Sequence, residues 1–501
     1  MDRRHFLKSC SYLGSAAALA AVPGMSFALA QPSYAEQFEQ ALLHNNKLRG
    51  WQGVNADIPA QFVNWQGKLP EELIGRSLFR NGPGRQSLGG ERYSHWFDGD
   101  GMINKYAFSA QGLTHSGKFV RTKKFIQESQ EGKFLYDGAG SQVKHARPLK
   151  GPESVNTANI ALLPIKDELW ALWEAASPYR VEQSTLDTLG QVSLSKALDG
   201  APFSAHPHKD MQGNIWNFGD ISYLGQQALI IYQLNEVGLL LQYKVIATPR
   251  RSYLHDFAMT EDYLIFYLPP LFPEKIATTL INSFQWRPEQ GGVLLVIDKN
   301  TLTVVKQMEM EAGFIFHFGN SWQHGDELVV NACWYPDASI MTDAMGAILS
   351  TAKRPEQQES RANQLRINLK TNKLVMASNS LKMEFPQFDG RYTTRPTKGQ
   401  FGITMSHHNR PLEHDALSRY EMETDKQDSF SFGQGVIAEE PLFVAKTRGG
   451  EGQGYLINSS LDYQRGHTQV TVFDAEHISH GPLAQAKLPY YLPLGFHGTF
   501  C

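Results

Sequence analysis

The chain has 501 residues, of which 42% are hydrophobic and 11% aromatic, and a formal net charge of −3. So mild a charge excludes a nucleic-acid-binding role built on a basic face, and three cysteines are too few for a disulfide framework or a thiolate metal site in a chain of this size. Stability must come from a large apolar core, which this composition supplies.

Residues 1–30 read as an export signal and not as part of the fold. Arg3-Arg4-His5-Phe6-Leu7-Lys8 is a twin-arginine pattern, an apolar stretch runs from Tyr12 to Val22, and Ala28-Leu29-Ala30 is the small-x-small arrangement at which a signal peptidase cuts. Cleavage would leave Gln31 first and remove Asp2, Arg3, Arg4 and Lys8, a net +2, so the formal charge would pass from −3 to −5 over 501 − 30 = 471 residues. The plainer alternative is an N-terminal tail that carries two arginines by chance. On the export reading the protein is cargo of the twin-arginine machinery, and it is periplasmic in a Gram-negative host. No other apolar run is long enough to span a membrane.

Residues 31–501 contain no Pro/Gly/Ser-rich linker and no break in composition, which makes them a single domain. Helical candidates are few: Glu36 to Leu48, Glu274 to Phe284 and Ala338 to Ala352, all expected in insertions. Short apolar runs rich in β-branched and aromatic residues predict strands at Leu169–Trp173, Leu229–Tyr232, Tyr263–Leu268, Val293–Ile297, Leu328–Tyr335 and Gln469–Phe473. The polar stretches Lys353–Arg361 and Glu421–Ser429 are expected to be surface loops. A polar turn that restarts on Leu or Ile recurs at Glu182-Gln183-Ser184-Thr185-Leu186, Asp298-Lys299-Asn300-Thr301-Leu302 and Asp474-Ala475-Glu476-His477-Ile478. Its first residues lie 298 − 182 = 116 and 474 − 298 = 176 apart, near two and three times a period of about 58. Short strands on such a period predict an all-β, seven-bladed propeller, with a helical and loop cap over its axis.

Among seventeen histidines, four lie beside apolar strands or in tightly packed local motifs. They are His206 in Ser204-Ala205-His206-Pro207-His208, His255 in Leu254-His255-Asp256-Phe257, His317 in Phe316-His317-Phe318-Gly319-Asn320 and His497 in Gly495-Phe496-His497-Gly498-Thr499-Phe500. A set of four imidazoles takes iron, zinc or copper. His208, His324 and the pair His407-His408 are left as surface residues or as groups behind the ligands.

These four segments, in this order, resemble the histidine motifs of the carotenoid cleavage oxygenases, a family that includes retinal pigment epithelium isomerohydrolases and lignostilbene dioxygenases. Leu78-Phe79-Arg80-Asn81-Gly82-Pro83-Gly84 and His95-Trp96-Phe97-Asp98-Gly99-Asp100-Gly101-Met102 resemble two further motifs of that family. The resemblance implies one Fe(2+) per chain on the four histidines, with O2 as co-substrate. It also implies a carboxylate behind three of the ligands: Glu174 in Ala171-Leu172-Trp173-Glu174, Glu384 in Glu384-Phe385-Pro386-Gln387, and Glu440 in Glu440-Pro441-Leu442-Phe443-Val444. From His206 through His255, His317, Glu384 and Glu440 to His497 the steps are 49, 62, 67, 56 and 57 residues, so their mean matches the turn period. Some members carry a threonine near the open coordination position. Counting back from Glu174, this chain has Ile160 there, which keeps a methyl group and loses the hydroxyl.

The activity implied is oxidative cleavage of a carbon–carbon double bond to two carbonyl products. A carotenoid or apocarotenoid is the first substrate expected, and a lignin-derived stilbene is the alternative. Lys118-Phe119-Val120-Arg121-Thr122 has Phe119 where a stilbene-cleaving relative would place a tyrosine, so Phe119 is expected in a substrate tunnel. Leu268-Pro269-Pro270-Leu271-Phe272-Pro273 is either an exposed apolar patch at the tunnel mouth, suited to peripheral membrane contact, or an ordinary buried loop. A non-catalytic propeller that binds a ligand would break the histidine motifs, and all four are intact.

The export reading has a direct test. Replacing Arg3-Arg4 by Lys-Lys should leave uncleaved precursor in the cytoplasm, whereas the unaltered protein should appear with Gln31 as its N-terminus. Normal export of the variant would refute it.

Overall fold

A computed structural model describes residues 32–221, 227–274, 277–351, 359–406 and 414–501. The segment read as a signal and the His407-His408 pair lie outside the described residues. Tyr34–Cys501 forms one compact unit, and among its described residues no helix is long and apolar enough to cross a membrane.

Seven antiparallel sheets form the blades of a propeller. Blade 1 runs outward from Gly498–Phe500 through Ser77–Arg85, Asp100–Phe108 and Gly112–Phe119 to Ile58–Asn64. Blades 2 to 6 are four-stranded meanders whose innermost strands are Ala161–Ile165, His208–Lys209, Ala258–Met259, Phe314–His324 and Met383–Gln387. Blade 7 starts at Val436–Ala438 and Leu442–Ala445 and ends on Gln66–Gly67 from the N-terminal part of the chain. The ring is therefore closed twice, because each end of the folded chain lends a strand to the other end's blade. At the inner closure Leu78, Phe79 and Arg80 pair with Phe500, Thr499 and Gly498.

Apolar side chains between neighbouring blades make the core. Phe218 and Ile231 of blade 3 meet Phe257, Phe266 and Leu295 of blade 4, with the rings of Phe257 and Phe266 stacked at 5.3 Å. Leu78 and Tyr106 of blade 1 meet Ile457, Val470 and Val472 of blade 7 in the same way. A middle strand is covered on both faces, so it must be apolar along most of its length, as in Gly292–Asp298, where only the last residue is not buried.

Two of the three recurring turns share one geometry, which also stands elsewhere, whereas Asp474 to Ile478 leads instead into the 3-10 helix Ile478–His480. The shared turn joins the third and fourth strands of blades 2 and 4, where Leu186 and Leu302 close it with amides donated to Glu182 and Asp298 carbonyls and take φ of +62° and +48°. The same turn stands in blade 5, where Asn372 donates to Asn368 with φ +60°. In blade 6, Asp425 has φ +54° between Ala416–Glu421 and Lys426–Ser431. Glu421–Ser429, expected to be a loop, is thus largely a hairpin: cross-strand pairing satisfies its backbone, and polar side chains fit an outer strand exposed to water.

The cap is built from the predicted helical insertions and one more. Tyr34–His44 is α-helical as expected. Of Glu274 to Phe284 only Leu280–Ser283 is helical among the described residues, because Phe284 already pairs with Pro273 in a two-stranded ribbon. Ala338 to Ala352 becomes a π-helical turn, Ile340–Ala344, followed by Met345–Thr351. A further helix, Lys123–Glu131, starts on the Thr122 side-chain cap. The loop Leu268–Pro273 is the buried alternative, with Leu268 1%, Leu271 0% and Phe272 8% exposed, so it supplies no surface for a membrane.

One turn carries removable strain. Ile165 and Glu168 pair across the hairpin Lys166-Asp167, and exposed Lys166 sits at φ +51°. Lys166→Gly should raise stability by about 1 kcal/mol, read as a higher denaturant midpoint with unchanged slope.

Candidate metal centre

The propeller axis is where the inner strands begin, and that is where the four histidines meet. His206 and His255 stand just before the inner strands of blades 3 and 4, His317 within that of blade 5, and His497 just before the strand that closes blade 1. Their ligand atoms all lie within 4.8 Å of one another, with ring centroids 4.4 Å apart for His206–His255, 4.7 Å for His206–His497 and 4.9 Å for His317–His497. Blade 2 sends no imidazole. Its corresponding residue is Ile160, 3% exposed, whose carbonyl accepts the His497 amide at 3.1 Å.

Three imidazoles are held from behind by carboxylates. The His317 Nδ1–H donates to Glu384 Oε2 at 2.6 Å, the His497 Nδ1–H to Glu440 Oε1 at 3.0 Å, and the His255 Nδ1–H to Glu174 Oε1. A carboxylate only accepts, so each bond fixes the tautomer with Nδ1 protonated and turns the Nε2 lone pair toward the axis. His206 has no such partner among the described residues.

This arrangement fits a cation. His206 Nε2 and His255 Nε2 face each other at 3.0 Å, and His317 Nε2 is buried with no protein partner. Inward lone pairs at that spacing repel unless a positive centre lies between them. Burial, together with the neighbouring imidazoles, holds the His206 pKa well below its ordinary value, and burial lowers that of His497 as well. For His317 burial acts the same way, but Glu384 outweighs it and the pKa is raised. His206 and His497 are therefore presented neutral, as a metal ligand must be.

Several groups that the sequence reading left without a role hold this frame. Arg80 donates to Glu440 Oε2 at 3.1 Å and to the Glu440 carbonyl at 2.7 Å, and the Gln387 amide reaches Glu440 Oε1 at 3.1 Å. Asn81 donates its side-chain amide to the Ala158 carbonyl at 2.9 Å, beside Ile160. The Tyr253 hydroxyl donates to Glu174 at 2.8 Å. Arg80 and Asn81 belong to a motif visible in the sequence, and Tyr253 lies two residues before a ligand. Phe385 has φ +53°, a conformation strained for a bulky residue. It places its ring centroid 4.8 Å from that of His317 and 5.1 Å from that of His497.

A cavity of about 780 Å³, its open mouth included, ends on this centre. Trp96, Phe97, Ile160, Phe316, Phe385 and Phe496 give it apolar walls, and Ile340 and Met345 of the cap cover it. Phe119 does not line it. Its ring is buried against Phe125, 5.0 Å away, in a satellite core with Met102. The strand Gly112–Phe119 is fourth from the axis, so no side chain at its end reaches the metal centre. His324 is exposed at a hairpin end.

Residues 52–501 match the family described as retinal pigment epithelial membrane protein. The chain belongs to that family, the one the histidine motifs resemble. It is 28% identical over 478 residues to an apocarotenoid-15,15'-oxygenase of Synechocystis, covering 90% of this chain and 95% of that one. It is 30% identical to a carotenoid 9,10(9',10')-cleavage dioxygenase of Crocus sativus, with 89% and 87% covered. An isoeugenol monooxygenase of Pseudomonas nitroreducens is 22% identical, with 87% and 93% covered. The crystal structure of a cobalt-substituted Synechocystis ACO superimposes with a TM-score of 0.82 at 25% identity, covering 91% of this chain and 98% of that one.

Ligands and supporting carboxylates should separate experimentally. His206→Ala, His255→Ala, His317→Ala and His497→Ala should each lose bound metal. Glu384→Gln and Glu440→Gln should retain it with affinity lowered about 10- to 100-fold, measured by chelator competition.

Proposed function

We propose that the protein is an Fe(II)-dependent dioxygenase that cleaves a carbon–carbon double bond of a carotenoid or apocarotenoid. The observation that carries this reading is the placement of four inward imidazoles, with no carboxylate among them, at the end of an apolar and aromatic cavity. Such a cavity suits a polyene, which has no charged group to pair and is held by burial and ring contacts. The family's activity, carried by carotenoid-cleaving and apocarotenoid-cleaving relatives, supports the reaction type.

His206, His255, His317 and His497 would hold the iron, and the four neutral donors leave its full charge uncompensated in the first coordination sphere. Bound there, iron supplies the redox chemistry that lets ground-state O2 react with an alkene. The overall reaction balances without a further reductant: the double bond and the O–O bond break, and two C=O bonds form. The protein's share is positional. Glu174, Glu384 and Glu440 orient three rings, Ile160 fills the sector that blade 2 leaves without a ligand, and the aromatic walls set which double bond lies over the centre. No proton has to be delivered to the alkene carbons, which agrees with a cavity whose acids each accept bonds from the frame: Glu384 from His317 and a backbone amide, Glu439 from Ser459 and the Gly495 amide, and Glu440 from His497 and Arg80.

A phenolic alkene is the second reading, since isoeugenol is the substrate named for one relative. Export through the N-terminal twin-arginine segment belongs to the same proposal, because that route carries folded proteins and suits one that takes its metal before it leaves the cytoplasm.

Mature protein loaded with Fe(II) should convert an apocarotenoid to two carbonyl fragments, each with one oxygen atom from 18O2, read by mass spectrometry. Zinc-loaded protein should be inactive. Turnover of a stilbene or of isoeugenol with no apocarotenoid cleavage would overturn the substrate assignment, and absence of turnover on all of them would overturn the dioxygenase reading.

A further inference from the structure

Among the described residues, His206 is the histidine of the four with no carboxylate behind its ring. Two residues on, across the rigid Pro207, His208 donates its Nε2–H to Asp256 Oδ1 at 2.9 Å, and its ring packs edge-on against Phe257 with centroids 4.7 Å apart. Asp256 is 5% exposed and accepts two more bonds, from the Phe257 amide at 2.7 Å and from the Phe318 amide at 2.8 Å. Each contact is next to a ligand: His208 follows His206 on blade 3, Asp256 follows His255 before blade 4, and Phe318 follows His317 on blade 5. The Phe318 amide lies on an innermost strand whose register with its neighbour is irregular on both sides of that residue.

We infer that the His208–Asp256 pair is a positioning device for the metal centre: it anchors His206 through Pro207 and fixes the spacing of three consecutive ligands, in place of the carboxylate that His206 lacks. The inference rests on the four-histidine metal reading. A buried carboxylate that accepts three bonds from three blades cannot shift without breaking at least one of them, and each bond is charge-assisted. His208 is the replaceable member, since it is partly exposed, with 26% of its side chain accessible.

The test uses the mature protein loaded with Co(II), whose visible bands report ligand geometry, together with chelator competition and thermal unfolding. His208→Ala should lower metal affinity about tenfold and shift the Co(II) bands at full loading. His208→Gln, whose amide can still donate to Asp256, should restore both to near the unaltered protein. Adding His208→Ala to Asp256→Asn should cost little beyond Asp256→Asn alone, because the two act as one unit. Superimposable Co(II) spectra with affinity within twofold for His208→Ala would overturn the inference, even if the unfolding temperature fell. His208→Gln behaving like His208→Ala would also overturn it. If Asp256→Asn fails to fold, the two His208 variants still decide. Failure of the unaltered protein to bind Co(II) would instead refute the metal centre itself.

Discussion

Four imidazoles share a space less than 5 Å across, three of them with Nε2 lone pairs turned inward by the carboxylates behind them, and a cation at the centre would satisfy all of those lone pairs at once. Much of the inner architecture serves this arrangement. Carboxylates behind His255, His317 and His497 put the protons on the outward nitrogens, and each carboxylate is itself pinned: Glu174 by Tyr253, Glu384 by the Phe385 amide, and Glu440 by Arg80, Gln387 and the Gly498 amide. An anion at each of these positions would be costly in an apolar interior without such partners. The radial fold supplies what a bundle or a sandwich would find harder to arrange, namely several chain segments ending together on one axis.

Much of this was legible in the sequence because the middle strands of the blades are buried on both faces. The six apolar runs all proved to be second or third strands, such as Tyr263–Leu268 and Gly292–Asp298. The inner strands were not visible as strands. His208–Lys209 is polar and Ala258–Met259 apolar, but each is only two residues long, too short to show a periodicity. The period survived because blades 2, 4, 5 and 6 repeat the same turn and because successive blades bring a polar residue to the same axial position.

What the sequence could not supply was the partner of each side chain. Phe119 lies in a segment that resembles a substrate-contacting one, but its strand is too far from the axis, and its ring went to Phe125. Phe272 and its neighbours read equally well as an exposed patch or as packing, and the ribbon they form with Phe284–Trp286 decided for packing. His208 looked like a bystander because nothing in Ala205-His206-Pro207-His208 announces a carboxylate on the next blade. Long-range pairing of this kind has no local signature, whereas Arg80 and Asn81 stood in a recognisable motif and lacked only a role.

Closure of the ring has a consequence for how the site comes into being. Three ligands belong to successive blades and can be arranged by neighbours that are already packed, but His497 arrives with the strand Gly498–Phe500, whose pairing with Ser77–Arg85 completes the circle. The His497 imidazole and the inner seam of the ring are therefore delivered by one short stretch of chain. A bound ion would then act as a rivet beside that seam, so its loss would be felt first as loosening of Gly498–Phe500 from Ser77–Arg85 inside blade 1 and only afterwards in the other blades.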